Sequence, residues 1–154
     1  MTIEVKNLFE KDVCDNIVDR LQSLSTASVR QWGKMDVSQM LAHCSVAFKV
    51  PLSDKPLKPM IPIRWFAWAF KSMLYNNKMW RHGMPTSPQF IIKDERQFEQ
   101  ERTQLIALVR KFQEAGPGVA GKYPHPAFGH FTPEQWGKMM WKHLDHHLRQ
   151  FSAN

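Results

Sequence analysis

The stretch TPEQWGKMMWKHLDHHLRQF, residues 132–151, has the pattern of one long amphipathic helix. Thr132 suits the N-cap, Pro133 suits the first helical position, and Gln135 completes a capping box. Apolar side chains then recur at spacings of three and four residues, which places them on one face. This face consists of Trp136, Met140, Leu144, His147 and Phe151, with Met139 and His143 at its border. We therefore expect this helix to pack against other parts of the fold, with histidine side chains in the contact.

Three histidines occupy the second half of this helix. His143 and His147 are four residues apart, so they differ by only about 40° in direction and about 6 Å along the axis. Two imidazoles at that spacing can bind one metal ion. His146 lies at the edge of the apolar face and is the weaker candidate ligand. It could equally donate a hydrogen bond to a ligand or face water. Asp145 cannot share the face of its histidine neighbours, which indicates a surface position or a contact with another helix.

Helical periodicity recurs elsewhere in the chain, which predicts an all-α protein. We expect helices over about residues 9–24, 36–50, 94–114 and 132–151, with a short aromatic helix between residues 63 and 79. Asp36 and Gln39 have the spacing of a second capping box. Residues 51–62 contain four prolines, and residues 121–129 are rich in Gly, Pro and His, so both are expected to be loops. Four long helices predict a four-helix bundle in one domain, residues 1–154.

His43 is the natural third member of a metal site. It shares a stripe of the second predicted helix with Met40 and Ala47, and metal sites in helical bundles are built from side chains of facing helices. Three neutral imidazoles and an open position form many catalytic zinc sites, although nitrogen donors also suit Ni, Co, Cu and Fe. The alternative is that these histidines are hydrogen-bonded core residues. Cys44 points about 100° away from His43, which favours a buried apolar role for the thiol.

The charge balance is basic, with 21 Lys and Arg against 14 Asp and Glu and a formal net charge of +7. This balance favours anionic partners. The basic residues follow no nucleic-acid motif, so we do not expect nucleic acid to be the main partner. Two cysteines make no disulfide framework, and neither a secretory signal nor an apolar run of ~18–20 residues is visible. We therefore expect a cytoplasmic protein without a transmembrane segment.

Longer strings around the histidines resemble the DinB-like superfamily. In chain order they are Trp32-Gly-Lys-Met, Ser38-Gln-Met-Leu-Ala-His43, His125-Pro-Ala-Phe-Gly129, Thr132-Pro-Glu-Gln-Trp136 and His143-Leu-Asp-His-His147 followed by Gln150. The likeness is to a branch that carries a His-Pro-x-Phe-Gly signature, and it covers about residues 32–151. It implies a four-helix bundle with up-down-down-up connectivity. It also implies a divalent metal ion, most often nickel or zinc, held by His43, His143 and His147.

The leading hypothesis for function is a metal-dependent enzyme acting on a small molecule. The superfamily includes YfiT-like metal-dependent hydrolases and transferases that use a low-molecular-weight thiol, and a metal activates either water or a thiol at neutral pH. His125 is a weak candidate for proton transfer and equally a loop histidine that fixes the turn beside Pro126. The alternative function is a non-catalytic helical binding module with no metal or with a structural one. The fourth ligand of a structural site would be His146 or a residue of the aromatic stretch between positions 65 and 80.

An aromatic stretch, residues 65–80, matches no feature of the superfamily that we can identify. Its rings are Trp65, Phe66, Trp68, Phe70, Tyr75 and Trp80. We expect these rings to pack over the bundle or to form a homodimer interface, because clustered apolar surface is usually buried. The alternatives are contact with a membrane surface and binding in the groove of a partner.

Overall fold

The computed structural model describes residues 2–84 and 86–153, and its regular structure is helical. The five α-helices are α1 (Lys11–Gln22), α2 (Val37–Phe48), α3 (Ile61–Ala67), α4 (Phe98–Ala115) and α5 (Pro133–Gln150). Two 3₁₀ helices, Trp68–Leu74 and Pro88–Phe90, lie in the long connection between α2 and α4. Across the described ranges, β structure is limited to isolated bridges. The predicted all-α class is confirmed.

Both predicted capping boxes are present. The Asp36 carboxylate accepts a hydrogen bond from the Gln39 backbone N–H at 2.8 Å, and the Gln39 side chain accepts from the Asp36 N–H at 3.1 Å. Thr132 and Gln135 make the same reciprocal pair at 3.2 and 3.0 Å. These bonds satisfy backbone donors that a helix start would otherwise leave free. The two helices that carry the histidines therefore begin where the sequence predicts.

Other helix ends differ from the prediction by a few residues. The first helix is shorter than residues 9–24, and α4 begins at Phe98 instead of near Asp94. The later start of α4 has a local cause. The Asp94 carboxylate pairs with Arg96 at 3.0 Å, and the Asp94 carbonyl accepts from the side-chain amide of Gln39 at 3.3 Å. These contacts hold the chain at Asp94 in a non-helical conformation, and α4 begins only at Phe98.

The four longer helices surround one hydrophobic core. Helix α2 packs against α4 and α5, and α1 packs against the same two helices. The largest fully buried apolar side chains come from all four helices and from Leu8, and they include Ile17, Leu21, Leu41, Phe48, Leu105, Phe112, Trp136, Leu144 and Leu148. Helix α5 therefore contacts α1 on one side and α2 on another.

A buried ion pair holds α5 against α1. Arg20 Nη1 lies 3.0 Å from Asp145 Oδ1, and these residues are 9% and 4% exposed. The Asp145 carboxylate also accepts from Arg149 Nε at 2.8 Å, and Arg20 Nε donates to the carbonyl of Ala153 at 2.9 Å. The prediction that Asp145 contacts another helix is confirmed, and the surface alternative is wrong. Because a buried charge without its partner is costly, this pair favours a single rotation of α5 about its axis.

The aromatic segment, defined here as residues 61–74, does not pack into the core. Its exposed rings are Trp65, Phe66, Trp68 and Phe70, which are 70%, 71%, 75% and 59% exposed. The expected packing of these rings over the bundle is therefore wrong. The segment contacts the core only through the face that buries Ala67 and Leu74. The rings lie on its other faces and therefore stay exposed. Tyr75 and Trp80, which follow it, are partly buried against the core.

No helix in the described parts of the chain is long and apolar enough to cross a lipid bilayer.

Candidate metal centre

His43, His143 and His147 come together between α2 and α5. One ring nitrogen of each lies within 4.8 Å of the others, and His43 Nε2 lies 3.0 Å from His143 Nε2. The ring centroids are 4.7 to 5.1 Å apart. Among residues 2–84 and 86–153, this is the one group of three or more His, Cys, Asp or Glu residues with such convergent atoms. The juxtaposition predicted from the sequence is thus present in the fold.

The outer nitrogens of two of these rings have protein partners. His43 Nδ1–H donates to the carbonyl of Phe90 at 2.8 Å. His147 Nδ1–H donates to the side-chain oxygen of Gln150 at 2.9 Å, and Gln150 Nε2 in turn donates to the carbonyl of Trp32 at 2.7 Å. A carbonyl can only accept, so it requires the proton on Nδ1 and leaves the Nε2 lone pair free. Such partners orient the ring of a metal-ligating histidine.

The three imidazoles are neutral at physiological pH. Burial lowers the pKa of His147 to about 3, and neighbouring His43 adds to the effect. Burial, together with His147 and His43, lowers the pKa of His143 well below its usual range. Burial also lowers the pKa of His43, although its bond to Phe90 acts in the opposite direction. A neutral imidazole is the form that binds a metal ion.

The donor set fits a divalent transition metal. The chain brings together three neutral nitrogen donors without a carboxylate, which suits Zn or Ni better than Mg or Ca. The 3.0 Å separation of the two Nε2 atoms is close to what neighbouring ligands of one ion show when each lies about 2.0–2.1 Å from it. Without an ion, one of those nitrogens has to donate a proton to the other. The residues present therefore fit the metal that the family resemblance implies.

His146 lies beside this group without joining it. Its ring is 5.2 Å from that of His147, centroid to centroid, and it contacts Trp32 and Trp80 at 5.7 and 5.6 Å. Burial, with a smaller effect of His82, lowers the pKa of His146 to about 4. The role as fourth ligand, which was the weaker prediction, has no support in this geometry. The ring instead helps to cover the group from outside.

Aromatic rings cover the outer side of the histidines. Trp80 lies 5.9 Å from His143, centroid to centroid, and Trp32 stacks on His82 at 3.8 Å. A narrow cleft of about 10 Å³ lies between these rings and is also lined by Lys142. That volume has room for about one water molecule. Its lining includes His146 and none of the three convergent histidines, so the cleft lies outside the group.

Lys142 is buried next to the first α5 histidine, at 1% exposure. Its Nζ donates to the carbonyls of Met73 and Asn76, both at 2.7 Å, and burial lowers its pKa to about 8. These bonds tie α5 to the loop that carries Trp80. Lys142 therefore helps to hold the chain that precedes Trp80 against α5.

Cys44 takes the apolar role that its position predicts. It is fully buried, and its sulfur lies 3.8 Å from the sulfur of Met40. Burial raises the pKa of its thiol, so it stays protonated and is a poor ligand. Cys14 is also buried, and both are free thiols.

His125 lies apart from the three histidines. Its Nδ1 accepts hydrogen bonds from the backbone N–H groups of Ala127 and Phe128 at 3.1 and 3.3 Å, and its ring packs beside Trp136 at 5.9 Å. Trp136 precedes His143 by two turns, about 10 Å along the helix axis. Burial lowers the pKa of His125 to about 4. The geometry fits the turn-fixing interpretation and gives no support to proton transfer at the centre.

Sequence reasoning assigned no structural role to several residues that shape this centre. Phe90 contributes only its backbone carbonyl, which no side-chain pattern reveals. Gln150 follows His147 by one helical turn, and that spacing was a usable signal for a hydrogen-bonding partner. Gly33 has φ +82°, and a Cβ there would lie 2.5 Å from Gln150 Nε2. The Trp32–Gly33 turn therefore requires glycine to let the chain approach the amide.

Comparison with known proteins gives a family without a described activity. The family DUF1569, described as a protein of unknown function, matches residues 5–154. No curated protein and no solved structure matches the chain. Because the match spans nearly the whole sequence, the chain belongs to the DUF1569 family.

Proposed function

We propose that this protein binds a divalent metal ion, nickel or zinc, through His43, His143 and His147. The observation that carries the proposal is the convergence of three neutral ring nitrogens within 4.8 Å, with the opposite nitrogens of His43 and His147 held by Phe90 and Gln150. A neutral imidazole has one donor nitrogen and one acceptor nitrogen, and in His43 and His147 the donor is already engaged. Three convergent ring nitrogens, with two of the rings oriented by hydrogen bonds at their opposite nitrogens, are typical of metal ligands.

We further propose that the protein is an enzyme of the DinB-like superfamily. It would act on a small molecule as a hydrolase or as an S-transferase that uses a low-molecular-weight thiol. The resemblance of the strings around His43, His125 and His143 supports the kinship. The four long helices, with α1 and α2 each packed on both α4 and α5, are compatible with an up-down-down-up four-helix bundle.

In this proposal the bound metal lowers the pKa of a water molecule or deprotonates a thiol. The chain supplies the rest. His43 and His147 keep their Nε2 lone pairs inward because their Nδ1 protons are engaged. Trp32, Trp80 and His146 limit water around the centre, and a dry site strengthens electrostatic interactions inside it.

A structural metal is the second candidate, and the geometry favours it less. Structural zinc sites are normally closed by four protein ligands. The described residues bring three donors together, and His146 faces Trp32 and Trp80 instead. A three-ligand site leaves a coordination position for water or substrate, as catalytic sites do.

An activity screen with matched variants tests the catalytic proposal. The protein, loaded with nickel or with zinc, is offered ester and amide substrates and, separately, electrophiles with a low-molecular-weight thiol. We expect turnover that chelation abolishes and that His143→Ala reduces by about 10²-fold or more, as for loss of an essential group. The matched control is His125→Ala, a half-buried histidine of the same chain away from the centre, which should retain the activity. Turnover that survives chelation, or is equal in both variants, would overturn the catalytic role.

A further inference from the structure

The aromatic segment, residues 61–74, concentrates most of the large apolar surface that the described residues expose. Six of the nine exposed large hydrophobic residues lie in ten consecutive positions. They are Ile61, Ile63, Trp65, Phe66, Trp68 and Phe70, each at least 44% exposed. Single exposed apolar residues are ordinary, but a contiguous group marks a surface that contacts something. Since the core does not cover it, its occupant lies outside this chain's fold.

The charged residues in the sequence around this segment are all basic. No acidic residue occurs between Asp54 and Asp94, and seven basic residues lie in that stretch. They are Lys55, Lys58, Arg64, Lys71, Lys78, Arg81 and Lys93. The rest of the chain carries 14 basic and 14 acidic residues, so the whole net charge of +7 resides in residues 55–93. None of the seven takes part in an ion pair within the described residues.

The segment has a fixed place on the fold. The Met60 N–H donates to the carbonyl of Pro126 at 3.0 Å, and the Lys71 ammonium donates to the carbonyl of His130. Arg64 lines an open cleft of about 520 Å³ together with Pro59, Ile61, Trp65 and Trp68. The apolar rings and the positive charge are therefore presented together, on the same face.

We propose that the aromatic segment binds the surface of an anionic lipid bilayer as a peripheral contact. Trp and Phe partition into the boundary between headgroups and acyl chains, and Lys and Arg beside them attract anionic lipids. The exposed aliphatic side chains of Ile61 and Ile63 also gain from burial in lipid.

Other occupants fit the charge less well. In a symmetric dimer the same patch meets itself, which would bring two acid-free surfaces of like charge together. Single-stranded nucleic acid would match the charge and stack on Trp65 and Trp68. It would leave Ile61 and Ile63 without a role. An anionic bilayer uses both the aliphatic and the basic residues.

Vesicle sedimentation tests the proposal with the full-length protein. Vesicles of phosphatidylcholine alone are compared with vesicles that also contain phosphatidylserine. We expect binding to the mixed vesicles that high salt weakens, with a blue shift of tryptophan fluorescence. Replacing Lys58 or Arg64 by Gln should weaken binding about five-fold each.

The aromatic contribution is tested by the double variant Trp65→Ser, Trp68→Ser, which should lose binding by about ten-fold or more. Both side chains are at least 70% exposed, so the fold should tolerate the change. Val119→Ser, at a residue 65% exposed elsewhere on the surface, is the matched control and should bind as the wild type does. A His143→Ala variant should also bind, because this surface does not depend on the metal centre.

Three results would overturn the proposal. The first is equal sedimentation with both kinds of vesicle, or with the wild type and the double tryptophan variant. The second is a dimer in gel filtration that the double variant abolishes, without vesicle binding, which would assign the surface to a second copy. The third is binding of a single-stranded oligonucleotide through the same tryptophans, without vesicle binding, which would assign it to nucleic acid.

Discussion

Acidification from pH 7 to pH 5 should destabilise the metal-free protein strongly, because buried histidines are neutral in the fold. Burial lowers the pKa of His125 and of His146 to about 4, and it lowers that of His147 to about 3. In the unfolded chain the same groups have a pKa of about 6.5. Between these values the unfolded state binds more protons than the folded state, so the free energy of unfolding falls as the pH falls.

The size of the effect follows from this difference. Each of these three histidines stays neutral in the fold at pH 5, while its unfolded counterpart is almost fully protonated. Each should therefore contribute about 2 kcal/mol of destabilisation between pH 7 and pH 5, and the three together about 6 kcal/mol. A total stability of about 5–15 kcal/mol is usual for a domain. Acid unfolding near pH 5 is thus expected.

Urea unfolding, followed by far-UV circular dichroism at pH 7, 6 and 5 with a chelator present, measures this loss. With a slope of about 2 kcal/mol per molar urea, the midpoint should move down by about 3 M or the protein should unfold without urea. The variant His125→Asn isolates one group, and its loss over the same range should be about 2 kcal/mol smaller. Equal midpoints at pH 7 and pH 5 would refute the argument that these histidines are buried and neutral.

Three further predictions concern residues around the centre. Gln150→Leu removes the acceptor that orients His147 and should weaken zinc binding by about 10–100-fold in a chelator competition assay; unchanged affinity would show that Gln150 does not orient the ligand. Gly33→Ala places a Cβ 2.5 Å from Gln150 Nε2 at φ +82° and should cost about 1–3 kcal/mol in urea unfolding, whereas an unchanged midpoint would contradict the close approach. Asp145→Asn leaves the Arg20 charge buried with a weaker partner and should cost up to about 3–5 kcal/mol, and a cost near zero would mean that Arg20 reaches solvent.

The helical parts of the fold were predictable because their signals are local. A capping box needs two residues three positions apart, and both boxes, Asp36 with Gln39 and Thr132 with Gln135, form as predicted. The convergence of His143 and His147 also follows from helix geometry alone. Pairing them with His43 required the further assumption that α2 faces α5, which the contact between these helices bears out.

Long-range features were not predictable from the same signals. Phe90 reaches His43 through a backbone carbonyl after a long connection, and that contact depends on a chain path that periodicity does not describe. The exposure of Trp65 and Trp68 was also missed, because composition shows that a segment is apolar and does not show what covers it. The buried contact of Asp145 with Arg20 joins two helices far apart in sequence, so spacing within α5 gave only the direction of the side chain.

Metal content of the protein purified without a histidine tag tests the central claim most directly. The wild type is compared with a His143→Ala, His147→Ala double variant and with His125→Ala, each after incubation with nickel or zinc and dialysis. The account predicts about one equivalent of metal in the wild type and in His125→Ala, and almost none in the double variant, as expected for a site with three ligands. Little metal in the wild type, or equal retention in the double variant, would contradict it.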